Sequence, residues 1–424
     1  MLTASLALRN KEKWKPYWNK ALVFLFIATF FLDGITRYKH IISILMIITV
    51  IYQVSRAPGT FKVLYKNNLF YSVLALSLIL LYATFISPDL KISFKEFSNT
   101  VLKGFLAYSL LIPALLKDED NESIGKIVLY SLVTGLGLRC LVELILYIQD
   151  YNKGIMPFST YEHRSISDSM VFLFPALLNL WLIKKTSYKI AFVIFSAVFL
   201  FLLLGTLSRG AWLAVFIVTL LWLILNRQWK LLMLTSIVIS VAAVGVFTYK
   251  GDHAGKDRLI YKLQQTDSSS RYTNGTQGTA WTLIMENPLK GYGYGDDIYH
   301  AIYNKRVVDF PSWKFRQSIG PHNVVLSIWF AAGLAGLLAL LYLYGSIIKE
   351  TANATFKTVV VTPYNGQLLL FLTLVSFYII RGNFEEVDLK PIGLIVGLLL
   401  AMRNKKKKAC LTLSSGRLFK SNNF

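Results

Sequence analysis

Cysteine is nearly missing from this chain: there are two in 424 residues, Cys140 inside an apolar stretch and Cys410 in a basic tail. Neither has a metal-ligand neighbour or a plausible disulfide partner, which sets aside a disulfide scaffold and a cysteine-bound metal. A phosphate-binding loop is also missing. Gly291-Tyr292-Gly293-Tyr294-Gly295 is glycine-rich, but no strand or lysine-serine pair follows it. ATP hydrolysis of the P-loop kind is therefore excluded, and no cofactor is expected. Carboxylates are scarce, 23 against 45 lysines and arginines. Asp296-Asp297 stands without other carboxylates nearby in sequence, so no metal site is expected there. No cleavable signal peptide is apparent, because the basic run Arg9-Asn10-Lys11-Glu12-Lys13-Trp14-Lys15 leads into a retained helix.

What the chain has is apolar length. It is 54% hydrophobic with a mean hydropathy of +0.50. Runs such as Val193 to Leu204 and Leu368 to Ile380 are unbroken, where a soluble enzyme would alternate apolar and polar faces. Runs approaching twenty residues predict bilayer-spanning helices. About twelve spans follow, near 21–35, 40–54, 69–87, 101–116, 126–149, 168–184, 189–207, 210–226, 230–249, 323–348, 365–381 and 390–402. The expected fold is all-α, a polytopic transmembrane helical bundle. The net charge of +22 would suggest nucleic acid in a soluble protein. Here the bases gather in short loops between apolar runs, which predicts an anionic membrane surface as partner and no nucleic acid.

Lysine and arginine in short loops set orientation. The N-terminal cluster and the tail Arg403-Asn404-Lys405-Lys406-Lys407-Lys408 are both expected in the cytoplasm, and an even number of spans satisfies both. The loops Arg56 to Lys66, Lys184-Lys185, Arg227 to Lys230 and Lys349 to Lys357 then fall on the same side, with Arg37 and Lys39 opposed. The chain divides into 1–249 (spans one to nine), 250–321 (a large outer loop with short helices), 322–402 (spans ten to twelve) and 403–424 (a basic cytoplasmic tail). Within the loop, Trp281-Thr282-Leu283-Ile284-Met285 predicts a partly buried or interfacial helix stopped by Pro288, with Gly291 to Gly295 as a flexible turn.

Candidate chemistry gathers on the outer side. His322 opens the span after the loop, where a titratable imidazole meets water. Pro321 and Asn323 suit a helix start, and Gly333 and Gly336 suit close approach of another helix. Arg209, in Ser208-Arg209-Gly210 between two apolar runs, is either a snorkelling turn residue or an anion clamp, for which its planar fork is suited. Arg271, after Ser268-Ser269-Ser270, is either solvated or a second such clamp. Arg381 is a third outer arginine, with Glu385 or Glu386 as the expected partner. His163-Arg164, before Asp168, is placed to make polar contacts to a sugar. Arg139 and Glu143, four apart, share a helix face and are expected to form a buried ion pair.

These residues resemble the O-antigen ligase family, within the superfamily of ligases and polymerases of lipid-linked glycans. His322-Asn323 followed by Gly333 and Gly336 matches its histidine motif, and Ser208-Arg209-Gly210 is similar to its first arginine motif. Arg271 is similar to its loop arginine, although the gap to Trp281 is wider than in many relatives. The run Asn287-Pro288-Leu289-Lys290-Gly291-Tyr292-Gly293-Tyr294-Gly295 resembles the superfamily's Pro-x-x-Gly-x-Gly turn. The resemblance in layout covers nearly the whole chain. It implies a GT-C-like, metal-independent, inverting glycosyltransferase that moves O-antigen from undecaprenyl pyrophosphate onto lipid A-core oligosaccharide in lipopolysaccharide synthesis. It places that reaction on the periplasmic face of the bacterial inner membrane. In that reading His322 is the catalytic base, Arg209 and Arg271 bind pyrophosphate, and Arg381, Asn323, His163 and Arg164 are further candidates. The alternatives are an O-antigen polymerase, or a transporter or flippase of lipid-linked sugars, which would carry inverted repeats.

Overall fold

The computed structural model describes residues 17–248, 258–265, 271–356 and 362–403. The N-terminal basic run, Ser268 to Ser270, the tail 404–424 and Cys410 lie outside the described residues. Among the described residues the chain is helical, with no strand. A helix occupies each apolar stretch read from the sequence: 17–29, Thr36–Arg56, Asn68–Phe85, Asn121–Asn152, Ser167–Leu180, Thr186–Gly205, Arg209–Leu225, Trp229–Thr248, Val324–Phe356 and 390–403. The fourth stretch runs on through Leu90–Phe97, a π-helical segment Ser98–Leu106 and Ala107–Leu115. The eleventh is Gly366–Thr373, which continues as π-helix through Leu374–Ile380.

Seven of these helices are long and apolar enough to cross a bilayer. Among the others, Arg209–Leu225 has 17 residues and Ser167–Leu180 has 14. Their apolar length falls short of a full crossing on its own.

Polar punctuation starts the helices. Asn67, Asp89, Asp120, Asn323 and Asn365 each accept a backbone N–H of the first helical turn through a side-chain oxygen. Each thereby satisfies a donor that the helix leaves open. Burial then separates the helices into inner and outer sets. Ser167–Leu180 is buried almost throughout, and so are Gly366–Thr373 and 390–403. Thr36–Arg56 and Trp229–Thr248 instead expose Ile41, Ile44, Ile48 and Ile51, and Met233, Leu234, Ile237 and Val241. A row of exposed isoleucines is unfavourable against water and neutral against lipid, which fits a multi-pass membrane protein.

Two sequence expectations about packing are corrected. Arg139 and Glu143 do not pair. Arg139 reaches Asp33, with Nη1 2.7 Å from Oδ2, and Glu143 takes His163, with Oε1 2.6 Å from Nδ1. Helical spacing puts both on one face, but each found a partner on another element. The second correction concerns Gly333. It does not admit a neighbouring helix; it breaks its own, with φ +62° and ψ −160° inside Val324–Phe356. The segment 288–293 fills the break. Leu334 N donates to Pro288 O at 2.8 Å, Tyr292 N to Phe330 O at 2.9 Å and Gly293 N to Ala331 O at 3.0 Å. Phe330 O, which an unbroken helix would give to Leu334 N, is thereby satisfied from outside. A Cβ on Gly333 would stand 2.1 Å from Leu289 O, and one on Gly291 2.5 Å from Gly333 N. The glycines expected to form a flexible turn are thus fixed backbone, with Gly291, Gly293 and Gly295 all at positive φ.

The candidate active site

The loop before Val324–Phe356 ends on His322, whose backbone is left-handed at φ +49°. A non-glycine residue in that region is strained and persists only where its surroundings hold it. Here Gln277 Nε2 donates to His322 O at 3.2 Å and to Asn383 O at 2.7 Å. Asn323, one residue on, caps the helix: its Oδ1 accepts Val325 N at 2.9 Å and Leu326 N at 3.1 Å, and its Nδ2 donates to Asn383 Oδ1. Both polar ends of Asn323 are engaged in structure, and its role is to fix where the helix, and so His322, begins.

The arginines arrive from separate elements. Leu207, left-handed at φ +48°, turns the chain so that Arg209 opens the helix Arg209–Leu225. Its Nη1 donates to Gln265 O. Gly210 has no room for a side chain, since a Cβ would stand 2.7 Å from Phe384 Cβ. Arg271 sits at the start of Thr276–Glu286, where its own carbonyl accepts Gln277 N at 2.8 Å and Gly278 N at 3.1 Å. Its guanidinium donates to Phe384 O at 2.5 Å and lies 5.6 Å from the centre of the Phe384 ring. Burial lowers its pKa, and the charges of Arg164, Arg381 and Arg209 add to that against the opposing pull of Glu385. Arg164 leaves the short turn Glu162–Ile166.

Together Arg164, Arg209, Arg271, Lys262 and His322 line one cleft of about 520 Å³, with the first turn of Arg209–Leu225 in its wall. Cationic side chains and the first turn of Arg209–Leu225 give this cleft the chemistry that suits an anion.

Arg381 is not in that cleft. Its side chain is 4% exposed and is held by Asp168 (Nε to Oδ1, 2.8 Å), Ser208 Oγ (2.8 Å) and Ser167 Oγ (2.8 Å), with Glu385 farther off at 3.7 Å. The expected partner, Glu385, is therefore the minor one, and Arg381 supports Arg209 from behind through Ser208. His163 also lies elsewhere. It is buried among Glu143, Asp150 and Tyr147, stacked 3.7 Å from the Tyr147 ring.

Glu385 was named from sequence only as a partner for Arg381, yet it is the hub of the site. Oε2 is 2.5 Å from His322 Nδ1, and Oε1 is 2.5 Å from Arg164 Nη2 and 3.8 Å from Arg271 Nη2. Burial works to raise its pKa, but the His322 hydrogen bond and the charges of Arg381, His322 and Arg164 outweigh that and hold it down at about 2. The available signal was an acidic pair closing an apolar run in an acid-poor chain.

The next residue faces the other way. Glu386 lines a second cavity of about 190 Å³ with Glu96, Asp296, Asp388, Tyr294 and Tyr299. Burial, then the neighbouring Asp296, push Glu386 up to about 8, and burial raises Asp296 as well. Asp388 is paired with Lys390 at 3.0 Å. Among the described residues no three His, Cys, Asp or Glu side chains are grouped to hold a metal ion. The acidic pair Asp296-Asp297 does begin the helix Asp296–Arg306, where negative charge suits the dipole.

Residues 171–341, the stretch that includes Arg209, Arg271, His322 and the Gly333 break, match the family model described as O-Antigen ligase. A protein of Salmonella typhimurium named O-antigen ligase is 65% identical over 405 residues, covering 96% of this chain and all of that protein. An uncharacterized protein of Haemophilus influenzae is 25% identical over 255 residues, 55% of this chain and 61% of its own length. An all-helical chain with several apolar helices, a histidine and arginines around one cleft, and full-length likeness at this level belongs to the O-antigen ligase family.

Proposed function

We propose that the chain transfers O-antigen glycan from undecaprenyl pyrophosphate to lipid A-core oligosaccharide by direct inverting displacement, without metal or nucleotide. The observation that carries this reading is the convergence of Arg164, Arg209 and Arg271 with His322 on one cleft. Breaking the sugar–pyrophosphate bond leaves growing negative charge on the pyrophosphate. Preorganised guanidiniums stabilise that charge, each removal costing about 2–4 kcal/mol. The acceptor is a sugar hydroxyl, whose proton must leave as the new bond forms, and His322 takes it. The bond broken is already activated, so the arginines supply the charge that a metal would otherwise bring.

In this reading the basic loops favour both termini in the cytoplasm and the cleft on the periplasmic face of the inner membrane, with twelve crossings if the short helices complete theirs in the bilayer. The named Salmonella relative favours ligase over polymerase. Reconstitution with lipid-linked O-antigen and lipid A-core, without ATP or added metal, tests the proposal. Product on lipid A-core is expected. Longer lipid-linked chains would select a polymerase instead, and movement of donor without transfer would select a transporter.

A further inference from the structure

Five histidines are present in the chain, and His322 is the one that lines the cationic cleft. Its Nδ1 is engaged by Glu385 at 2.5 Å, and its Nε2 makes no hydrogen bond among the described residues. An imidazole that is to accept a proton must present a bare nitrogen, so its tautomer is as important as its position. A carboxylate has no proton to give at this site, because Glu385 is held ionised by the charges around it. The proton between the two groups therefore sits on Nδ1.

We propose that Glu385 is the positioning residue of His322: it holds the ring as the Nδ1–H tautomer and leaves Nε2 bare to the cleft. The proposal rests on the reading of His322 as the base. Glu385 has no other way to arrange itself. Its Oε1 is committed to the guanidinium side, 2.5 Å from Arg164, 3.7 Å from Arg381 and 3.8 Å from Arg271, all of which only donate. Its Oε2 is thereby the atom left for the histidine. The strained backbone at His322 and the Asn323 cap fix the backbone that carries the ring, while Glu385 holds the ring itself.

This asymmetry makes an unusual forecast for the isosteric variant. In Glu385→Gln the amide must turn its oxygen to the guanidiniums, since its NH2 facing them would set donor against donor. The NH2 then faces Nδ1, which can only accept, and the ring proton moves to Nε2. The variant of matched shape therefore blocks the base, whereas Glu385→Ala leaves the ring free to adopt either tautomer.

The test uses the full-length protein in lipid nanodiscs with nitrogen-15-labelled histidine, with His322→Ala to assign the signal. Wild type is expected to show the Nδ1–H tautomer at His322 and Glu385→Gln the Nε2–H tautomer. Turnover in Glu385→Gln should fall on the order of 10²-fold or more, below Glu385→Ala, while binding of inorganic pyrophosphate stays within a few-fold of wild type. A retained Nδ1–H ring in Glu385→Gln, or near wild-type turnover in that variant, overturns the proposal and leaves His322 as base untouched. Wild-type transfer by His322→Ala overturns the base reading itself, whatever the tautomers show. Glu385→Gln compared directly with wild type keeps the test decisive if Glu385→Ala does not fold.

Discussion

Two cavities lie against the same two segments, one lined by His322 and Phe384 and the other by Pro321, Val324 and Glu386, and they differ in sign. On one side Arg164, Arg209, Arg271 and Lys262 surround about 520 Å³; on the other Glu96, Asp296, Glu386 and Asp388 surround about 190 Å³. The boundary falls between adjacent residues. Glu385 is held at about 2 by guanidiniums and an imidazole, and Glu386 is pushed to about 8 by burial and a second carboxyl. The same chemical group, one peptide bond away, is an anion behind the cationic chamber and mostly a neutral acid in the wall of the other at neutral pH. Environment alone sets them apart. The cationic chamber suits a phosphate and would exclude a cation. The acidic one disfavours a phosphate, so of the two the cationic chamber is the one that fits the pyrophosphate of the proposed donor.

The largest effect should come from the histidine in the wall of the cationic chamber. His322→Ala is expected to lower transfer by roughly 10²–10⁴ while still binding lipid-linked donor, because the arginines are intact. Measuring protein level, donor binding and transfer in the same membranes checks this. Loss of donor binding together with transfer would show that the two chambers do not divide the work as described.

Next come the guanidiniums. Arg209→Lys and Arg271→Lys keep the charge and lose the fork, with an expected loss of roughly 10²–10³, about 2–4 kcal/mol, in kcat/KM for the donor. Arg271 should suffer more, since its flat group both donates to Phe384 O and lies against that ring. Normal turnover in both variants at normal abundance would remove the clamp.

Arg381→Ala sharpens the distinction between lining a chamber and supporting it. It strands Asp168, Ser167 and Ser208 around a vacated buried site, with an expected destabilisation of roughly 3 kcal/mol. A thermal melt in detergent checks this. Stability should fall first, and donor binding should follow through the displaced Ser208-Arg209 turn. A variant that melts like wild type but binds no donor would place Arg381 in the cleft after all.

The smallest effect belongs to the acidic chamber. The folded state raises Glu386 above its ordinary value, so it binds more protons than the unfolded chain between about pH 4.5 and 8. Stability from this group is present in full below that window and is lost as pH rises through it. Glu386→Gln should flatten this slope in melts taken from pH 5 to 8.5 and leave donor affinity unchanged. An unchanged slope would show that the acidic pair is not protonated.

Much of this was legible in the residues. The apolar runs predicted where helices lie, because twenty apolar residues have few other uses. His322 and Arg209 stand out by residue type at the mouths of those runs and Arg271 by its place in the outer loop, and the structure brings them together with Arg164. Partners were less legible. Arg139 and Glu143 are four apart, yet Asp33 and His163 take them, since helical spacing says which residues share a face and nothing about what the face meets. Asn323 is a cap and His163 belongs to a different buried cluster, distinctions that rest on contacts far apart in sequence. Glu385 was not legible as a hub because three of its four partners, Arg164, Arg271 and His322, come from segments remote in sequence.

The break at Gly333 bears on how the chain can be recombined. Residues 288–293 and 330–334 are far apart in sequence, but each satisfies the other's backbone, and neither has space for a side chain at the crossing. An engineer exchanging the outer loop between relatives, in search of a different glycan preference, cannot cut at the apparent edge of the helix. A chimera that imports the loop alone inherits a mismatched seam at the Gly333 break. One that imports both pieces carries its joint with it.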